Sequence, residues 1–201
     1  SDEWQRLGID IRGATMTATL TSTSVIGLGQ DIAEYQYALR FVGSTVTMDG
    51  CLVTDANASG DFISYGVVAL QGADVDMFDC EVRRCYFGAT FFDGVVNIDE
   101  CVFAGDDDPG NNPLLFSDAV QIRTSDAEGI RLPEGKRGRV VMPEGHVPNS
   151  RATASATITN SEFYGENAEF SWGISSYGPG VVTMSVENCV VDNFQEGMIF
   201  L

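Results

Sequence analysis

One short phrase recurs along the chain and constrains its fold more than any other feature. It reads VTMDGCLV at Val46–Val53, VDMFDCEV at Val75–Val82 and VNIDECVF at Val96–Phe103. It returns as ATITNSEF at Ala156–Phe163 and MSVENCVV at Met184–Val191. The shared pattern is apolar-x-apolar-x-polar-Cys-x-apolar, with Ser161 standing in once for Cys. A short strand pattern that returns every few tens of residues cannot bury its apolar face alone. It does so by stacking on its own copies, which makes a solenoid.

A second phrase follows at a regular offset. It starts at Ala38, Gly66, Gly88, Ala119, Gly173 and Gly197, with Gly8–Arg12 as a plausible earlier copy. Its second column is Leu39, Val67, Ala89, Val120, Ile174 and Met198. Its fourth is Phe41, Ala69, Phe91, Ile122, Ser176 and Phe200. Both read as core. The third column, Arg40, Val68, Thr90, Gln121, Ser175 and Ile199, is mixed and reads as an outward face. Each coil therefore holds at least two short strands separated by Gly, Asn and Asp turns. The interval from Ala119 to Gly173 is about twice the others, and its surplus falls in one insertion.

This cadence resembles the right-handed β-helix proteins of the pectate-lyase-like superfamily and their parallel β-helix repeats. It is best seen at Met184–Val191 followed by Gly197-Met198-Ile199, and it covers the chain from about Gly8 to Leu201. The resemblance implies an all-β fold: a right-handed, single-stranded parallel β-helix of about six coils, residues 1–201, with a hairpin arm inserted at 125–151. A β-sandwich is the rival, since it too has many short strands. The fold itself hosts lyases, hydrolases, viral tailspikes and catalytically silent surface proteins, so it does not assign an activity.

Composition narrows the setting. Asp and Glu number 29 against 11 Lys and Arg, a net charge of −18, and Lys136 is the single lysine. That balance predicts a high-salt protein in which salt screens self-repulsion, or otherwise an ordinary acidic extracellular protein. Nucleic acid is not expected as a partner, because phosphate recognition needs a basic surface. There is no apolar run of membrane-spanning length and no signal-peptide pattern. The chain closes inside a strand phrase, at Gly197–Leu201. Further residues or a partner are therefore expected to cover that end, in a homo-oligomer or a larger surface or virion assembly. Cys51, Cys80, Cys101 and Cys189 share one register and read as a reduced ladder in the core. The alternatives are a metal site or disulfides, but CxxC pairs and His partners are lacking.

Five groups of residues are candidate sites. The insertion from about Ser125 to Arg151 includes Arg131, Lys136, Arg137 and Arg139, a local change of sign. It reads either as a contact arm for a neighbouring subunit or an anionic glycan, or as a solvated loop whose Arg residues pair with carboxylates. Asp106, Asp107 and Asp108 precede a Pro-Gly-Asn-Asn-Pro turn; they can bind Ca²⁺ or form a solvated loop. No other cofactor is expected. The superfamily resemblance implies Ca²⁺-dependent lyases with an Arg base in Arg-x-Pro-x-x-Arg. Here Arg131-Leu132-Pro133 is followed by Lys136 at the needed position and Arg137 one residue late, so the match is read as chance.

Asp93 and Asp118 flank neighbouring copies of the second phrase and are the candidate catalytic pair, since glycoside hydrolysis needs two carboxylates across a sugar. Gln121, Arg123, Ser175 and Tyr177 are the candidate glycan-binding strip. Tyr37, Tyr65, Phe87 and Trp172, just before the strand phrase, and Phe92 and Tyr177, at its fifth position, are either sugar platforms or an aromatic ladder packed at a turn. The resulting expectation is a non-catalytic structural, adhesion or glycan-recognition module of an extracellular, cell-surface or virion protein. The alternative is a polysaccharide lyase or glycoside hydrolase, as in tailspike depolymerases.

Overall fold

The computed structural model describes residues 6–26, 35–54, 63–105, 118–124, 153–165, 171–178 and 180–200. The Asp106–Asp108 segment and the arm with Arg131, Lys136, Arg137 and Arg139 lie outside them.

The strands come in threes. The first coil is β1 (Arg6–Arg12), β2 (Thr17–Thr21) and β3 (Ser24–Ile26); the second is β4 (Tyr35–Val42), β5 (Thr45–Asp49) and β6 (Leu52–Thr54). The third is β7 (Ile63–Leu70), β8 (Asp74–Phe78) and β9 (Glu81–Arg83); the fourth is β10 (Phe87–Phe92), β11 (Val95–Asp99) and β12 (Val102–Ala104). The fifth is β13 (Asp118–Arg123), β14 (Thr153–Thr159) and β15 (Glu162–Tyr164). The sixth is β16 (Trp172–Tyr177), β17 (Val181–Glu187) and β18 (Val190–Asp192), and β19 (Glu196–Phe200) opens a seventh. The first strands of all coils form sheet A (β1-β4-β7-β10-β13-β16-β19). The second strands form sheet B and the third strands sheet C, six each. Every pairing is parallel, as at β4–β7, β5–β8 and β6–β9. The molecule is a parallel β-helix of about six coils, and the sandwich, which is built from antiparallel sheets, is excluded.

The repeat columns read from sequence are the observed rungs. Ala18, Val46, Val75, Val96, Ala156 and Met184 run up the inside of sheet B in one register. Leu39, Val67, Ala89, Val120, Ile174 and Met198 do the same in sheet A. With the inner column of sheet C they form one apolar core. The long interval is a single coil with residues inserted between β13 and β14. β14 still pairs in register with β11, Val96 opposite Ala156 and Ile98 opposite Ile158. Asp99 ties the two coils, accepting hydrogen bonds from Thr159 Oγ1 at 2.7 Å and Asn160 Nδ2 at 2.9 Å. Those two donors hold its carboxyl below the usual range.

The recurrent Cys phrase is two strands and a corner rather than one strand. The residue before the Cys position turns the chain with positive φ: Gly50 at 60°, Asp79 at 48°, Glu100 at 53°, Asn160 at 50° and Asn188 at 55°. That left-handed conformation suits Gly and Asn best, which is why they recur here. The next side chain points into the core and donates to the carbonyl two residues back. Cys80 Sγ reaches Phe78 O at 3.2 Å, Cys101 Sγ reaches Asp99 O at 3.3 Å, and Ser161 Oγ reaches Thr159 O at 2.7 Å. It also accepts the N–H of the residue at the same position one coil earlier, Cys80 N to Cys101 Sγ at 3.4 Å and Cys101 N to Ser161 Oγ at 3.1 Å. The column is thus selected for a small group that both donates and accepts, and all five cysteines are free thiols.

Replacing Cys101 by Ala strands a buried N–H and weakens the corner carbonyl's satisfaction. It is expected to cost about 1–3 kcal/mol in urea unfolding, whereas Cys101→Ser, which copies Ser161, is expected to cost less. Equal losses for the two variants would refute this account of the column.

Candidate functional site

The outer face of sheet A departs most from a simple solenoid. Its third-column side chains point away from the core, as read from sequence, yet they are not exposed. Arg40, Val68, Thr90, Gln121 and Ser175 are all buried. The expected open strip is a packed second layer. Tyr37, Tyr65, Val68, Leu70, Tyr86, Phe87 and Phe92 form an apolar cluster of their own on this side.

The aromatics are its spine. Tyr37 stacks on Tyr65 with centroids 5.4 Å apart, and Tyr65 on Phe87 at 5.0 Å. Tyr86 closes the end edge-on, 4.9 Å from Phe87. Because coils repeat about every 4.8 Å, rings at equivalent positions meet face to face. These three residues form the ladder rather than exposed sugar platforms. Phe92 is buried too and carries the Arg123 guanidinium 5.3 Å above its ring. Trp172 is partly exposed and donates its indole N–H to Glu196 at 3.0 Å.

The polar residues occupy the same face. At one end Arg40 donates to Asp10 through Nε at 3.1 Å and Nη2 at 2.8 Å, and its guanidinium lies 5.6 Å from the Tyr37 ring centre. A charge this buried persists only when paired, so Arg40 is structural. Thr90, Gln121 and Ser175 sit on successive rungs of one column. Thr90 Oγ1 donates to Gln121 Oε1 at 3.3 Å. Both Gln121 and Ser175 are 0% exposed, and among the described residues neither Gln121 Nε2 nor Ser175 Oγ has a hydrogen-bond partner. Two orphaned polar groups side by side are costly, and their cost needs a reason.

Gln121, Arg123 and Ser175 are thus brought together on one face, and Tyr177 takes the position opposite Arg123 in the register. The Tyr177 side chain lies outside the described residues. Thr90 joins them, and its place in the third column, one coil before Gln121, is readable from the repeat.

The carboxylate pair is not brought together. Asp118 opens β13 opposite Phe87, whereas Asp93 follows Phe92, whose partner is Arg123. The two lie at opposite ends of the strands of sheet A, on the order of 20 Å apart along the strand direction. Glycosidase carboxylates stand roughly 5–9.5 Å apart. Both acids adjoin a strand phrase, but one stands at its start and the other past its end. Asp93 is instead a corner residue with φ of 55°.

The thiol ladder offers the other concentration of reactive groups. Cys80 is lowered to about 7, chiefly because Cys101 can donate its S–H to a Cys80 thiolate. Cys101 is raised, since ionising it forfeits that bond and burial adds to the cost. Among the described residues no group of three His, Cys, Asp or Glu side chains is placed to hold a metal ion.

Comparison with known proteins finds no matching family model, no matching curated protein and no matching solved structure, so what stands about this chain is its architecture, a parallel β-helix.

Proposed function

We propose that this chain is a non-catalytic structural and adhesion module, related in kind to the pectate-lyase-like β-helices. On this reading it works within an extracellular, cell-surface or virion assembly and recognises glycan on the outer face of sheet A. The observation that carries the reading is the pair of orphaned groups, Gln121 Nε2 and Ser175 Oγ, on adjacent rungs beside Arg123. An amide donor and a hydroxyl next to a cation are what a sugar hydroxyl or carboxylate takes. The aromatic ladder beyond Thr90 gives the face a rigid apolar floor. The strip is shut off from solvent, so binding there requires the face to open and is slower than free diffusion. The acidic, lysine-poor composition supports a high-salt surface setting.

The test is a panel of neutral and acidic polysaccharides offered to the chain at high salt. Binding is expected, and Ser175→Ala is expected to weaken it about tenfold, the effect of one lost hydrogen bond. The same variant should leave thermal stability unchanged or raised, because it deletes an unsatisfied buried hydroxyl. Absence of binding across the panel would sink the recognition half of the proposal. Release of sugar fragments from any member of the panel would replace it with a polysaccharide lyase or glycoside hydrolase.

A further inference from the structure

Cys51, Cys80 and Cys101 occupy one position on successive coils. Paired rungs flank them on both sides: Asp49, Phe78 and Asp99 before, Leu52, Glu81 and Val102 after. Cys80 and Cys101 are each 1% exposed. All three thiols turn the same way, toward the carbonyl two residues back, at 3.6, 3.2 and 3.3 Å. Equivalent side chains in one orientation repeat at the pitch of the coils. The Cys80 and Cys101 sulfurs therefore stand one above the other, about 4.8 Å apart or slightly less, with their Cβ–Sγ bonds nearly parallel.

That arrangement is wrong for a disulfide. A disulfide needs its sulfurs about 2.05 Å apart and a Cβ–S–S–Cβ dihedral near ±90°, whereas parallel stacked bonds give a dihedral near 0°. The ladders on either side fix both backbones, so neither residue can swing round to meet the other. The same arrangement suits an ion placed between the sulfurs. A bond from thiolate to a d¹⁰ metal is about 2.3 Å, so a near-linear S–metal–S unit spans about 4.6 Å. It would lie along the helix axis, close to perpendicular to both Cβ–Sγ bonds.

The surroundings favour a soft cation of low coordination number. The carbonyl oxygens of Phe78 and Asp99 face the two sulfurs, and Met77 O lies 3.5 Å from Cys101 Sγ. These are the negative ends of backbone dipoles. Cys80 N–H, donating to Cys101 Sγ at 3.4 Å, offsets part of the sulfur charge. Among the described residues no group of three His, Cys, Asp or Glu is placed to hold a metal ion. Zn²⁺, which takes four ligands, is therefore not served, while thiolates select Cu(I). Ser161 closes the column on the far side of Cys101 and confines the soft donors to this part of the core.

We infer that Cys80 and Cys101 form a binding site for a soft monovalent d¹⁰ cation, Cu(I) or its analogue Ag(I), held between the two sulfurs inside the helix. The ion displaces both thiol protons, which pass to the buffer, and two S–metal bonds form. No electron is transferred, and the bridge carries a net charge of about −1, the sum of two thiolates and one monovalent ion. The site is separate from the outer face of sheet A and stands whether or not the chain binds glycan.

The test offers the 201-residue chain Cu(I) as its bicinchoninate complex, anaerobically and in sodium sulfate, because chloride competes for the ion. The chain is expected to withdraw about one Cu(I) per molecule and to keep its β-sheet circular dichroism. Its melting temperature is expected to rise, since the ion binds the folded state alone. X-ray absorption is expected to find two sulfur neighbours on the metal and no nitrogen or oxygen. Cys80→Ser and Cys101→Ser each copy the native Ser161 and are expected to weaken binding by more than about a hundredfold, beyond what losing an outer-shell partner brings. Cys85→Ser, at a different corner, and Cys189→Ser, beyond Ser161, are expected to bind as the parent does. Failure to take Cu(I) from bicinchoninate overturns the proposal. So does uptake that survives Cys80→Ser, or uptake that comes with loss of the sheet signal. If neither serine variant folds, the absorption spectrum of the parent decides, and any coordination other than two sulfurs overturns the site.

Discussion

Phe103→Ala is expected to destabilise the chain by about 3–5 kcal/mol, the usual cost of emptying a large aromatic site in a core. Phe103 is fully buried in the inner column of sheet C, where Val25, Val53, Val82, Phe103, Phe163 and Val191 stack rung on rung. Its ring lies on that of Phe163, centroids 5.2 Å apart and planes 10° from parallel. Truncation removes the ring's own burial and leaves one face of Phe163 without contacts. The cavity cannot collapse, because the coils above and below are fixed by backbone ladders on three sheets. Val102→Ala, one residue away and half-exposed on the outer side, is expected to cost less than about 1 kcal/mol. Urea unfolding of the two variants checks the contrast. Similar losses would mean that the inward column is not what holds the coils.

Salt is expected to have the other large effect. Between roughly 0.01 M and 1 M NaCl the screening length falls from about 30 Å to about 3 Å. For a chain of net charge −18, that removes most of the self-repulsion of the compact state. The melting temperature is expected to rise by about 10 °C or more, a few kcal/mol at this chain length. Part of the repulsion is local. Asp79 and Glu100 occupy the same corner position on adjacent coils, both exposed and both with positive φ. Glu100→Asn removes one charge of that pair and places a residue better suited to the turn, as Asn160 and Asn188 already are. It is expected to raise the low-salt melting temperature by about 2–4 °C and to narrow the salt increment. A melting curve insensitive to salt would show that the charge is balanced locally rather than tolerated through screening.

The rungs were legible in sequence because each depends on a short-range rule repeated many times. An inward position needs an apolar side chain of limited size, so Leu39, Val67, Ala89 and Val120 announce one column without any structure. The third strand of each coil was not legible. It is three residues long, as at Leu52–Thr54, and abuts the corner, so it merged with the preceding strand into one phrase. The burial of Gln121 and Ser175 was out of reach for a different reason. Strand alternation tells which side of a sheet a residue takes, but not whether that side is covered. The Asp93 and Asp118 pairing failed on the same distinction between order along the chain and place along the rung.

The insertion between β13 and β14 carries a consequence for how such a chain changes over time. Residues 125–152 enter at a corner, yet Val96 still meets Ala156 and Ile98 still meets Ile158 across the gap. Closing a loop of that length costs little more than closing a short one, since the penalty grows only with the logarithm of length. The backbone ladders, not the connections, hold the register. Each corner is therefore a port at which sequence can be exchanged wholesale while the shaft keeps its pitch. Chains sharing this shaft can diverge in what they touch without renegotiating how they fold.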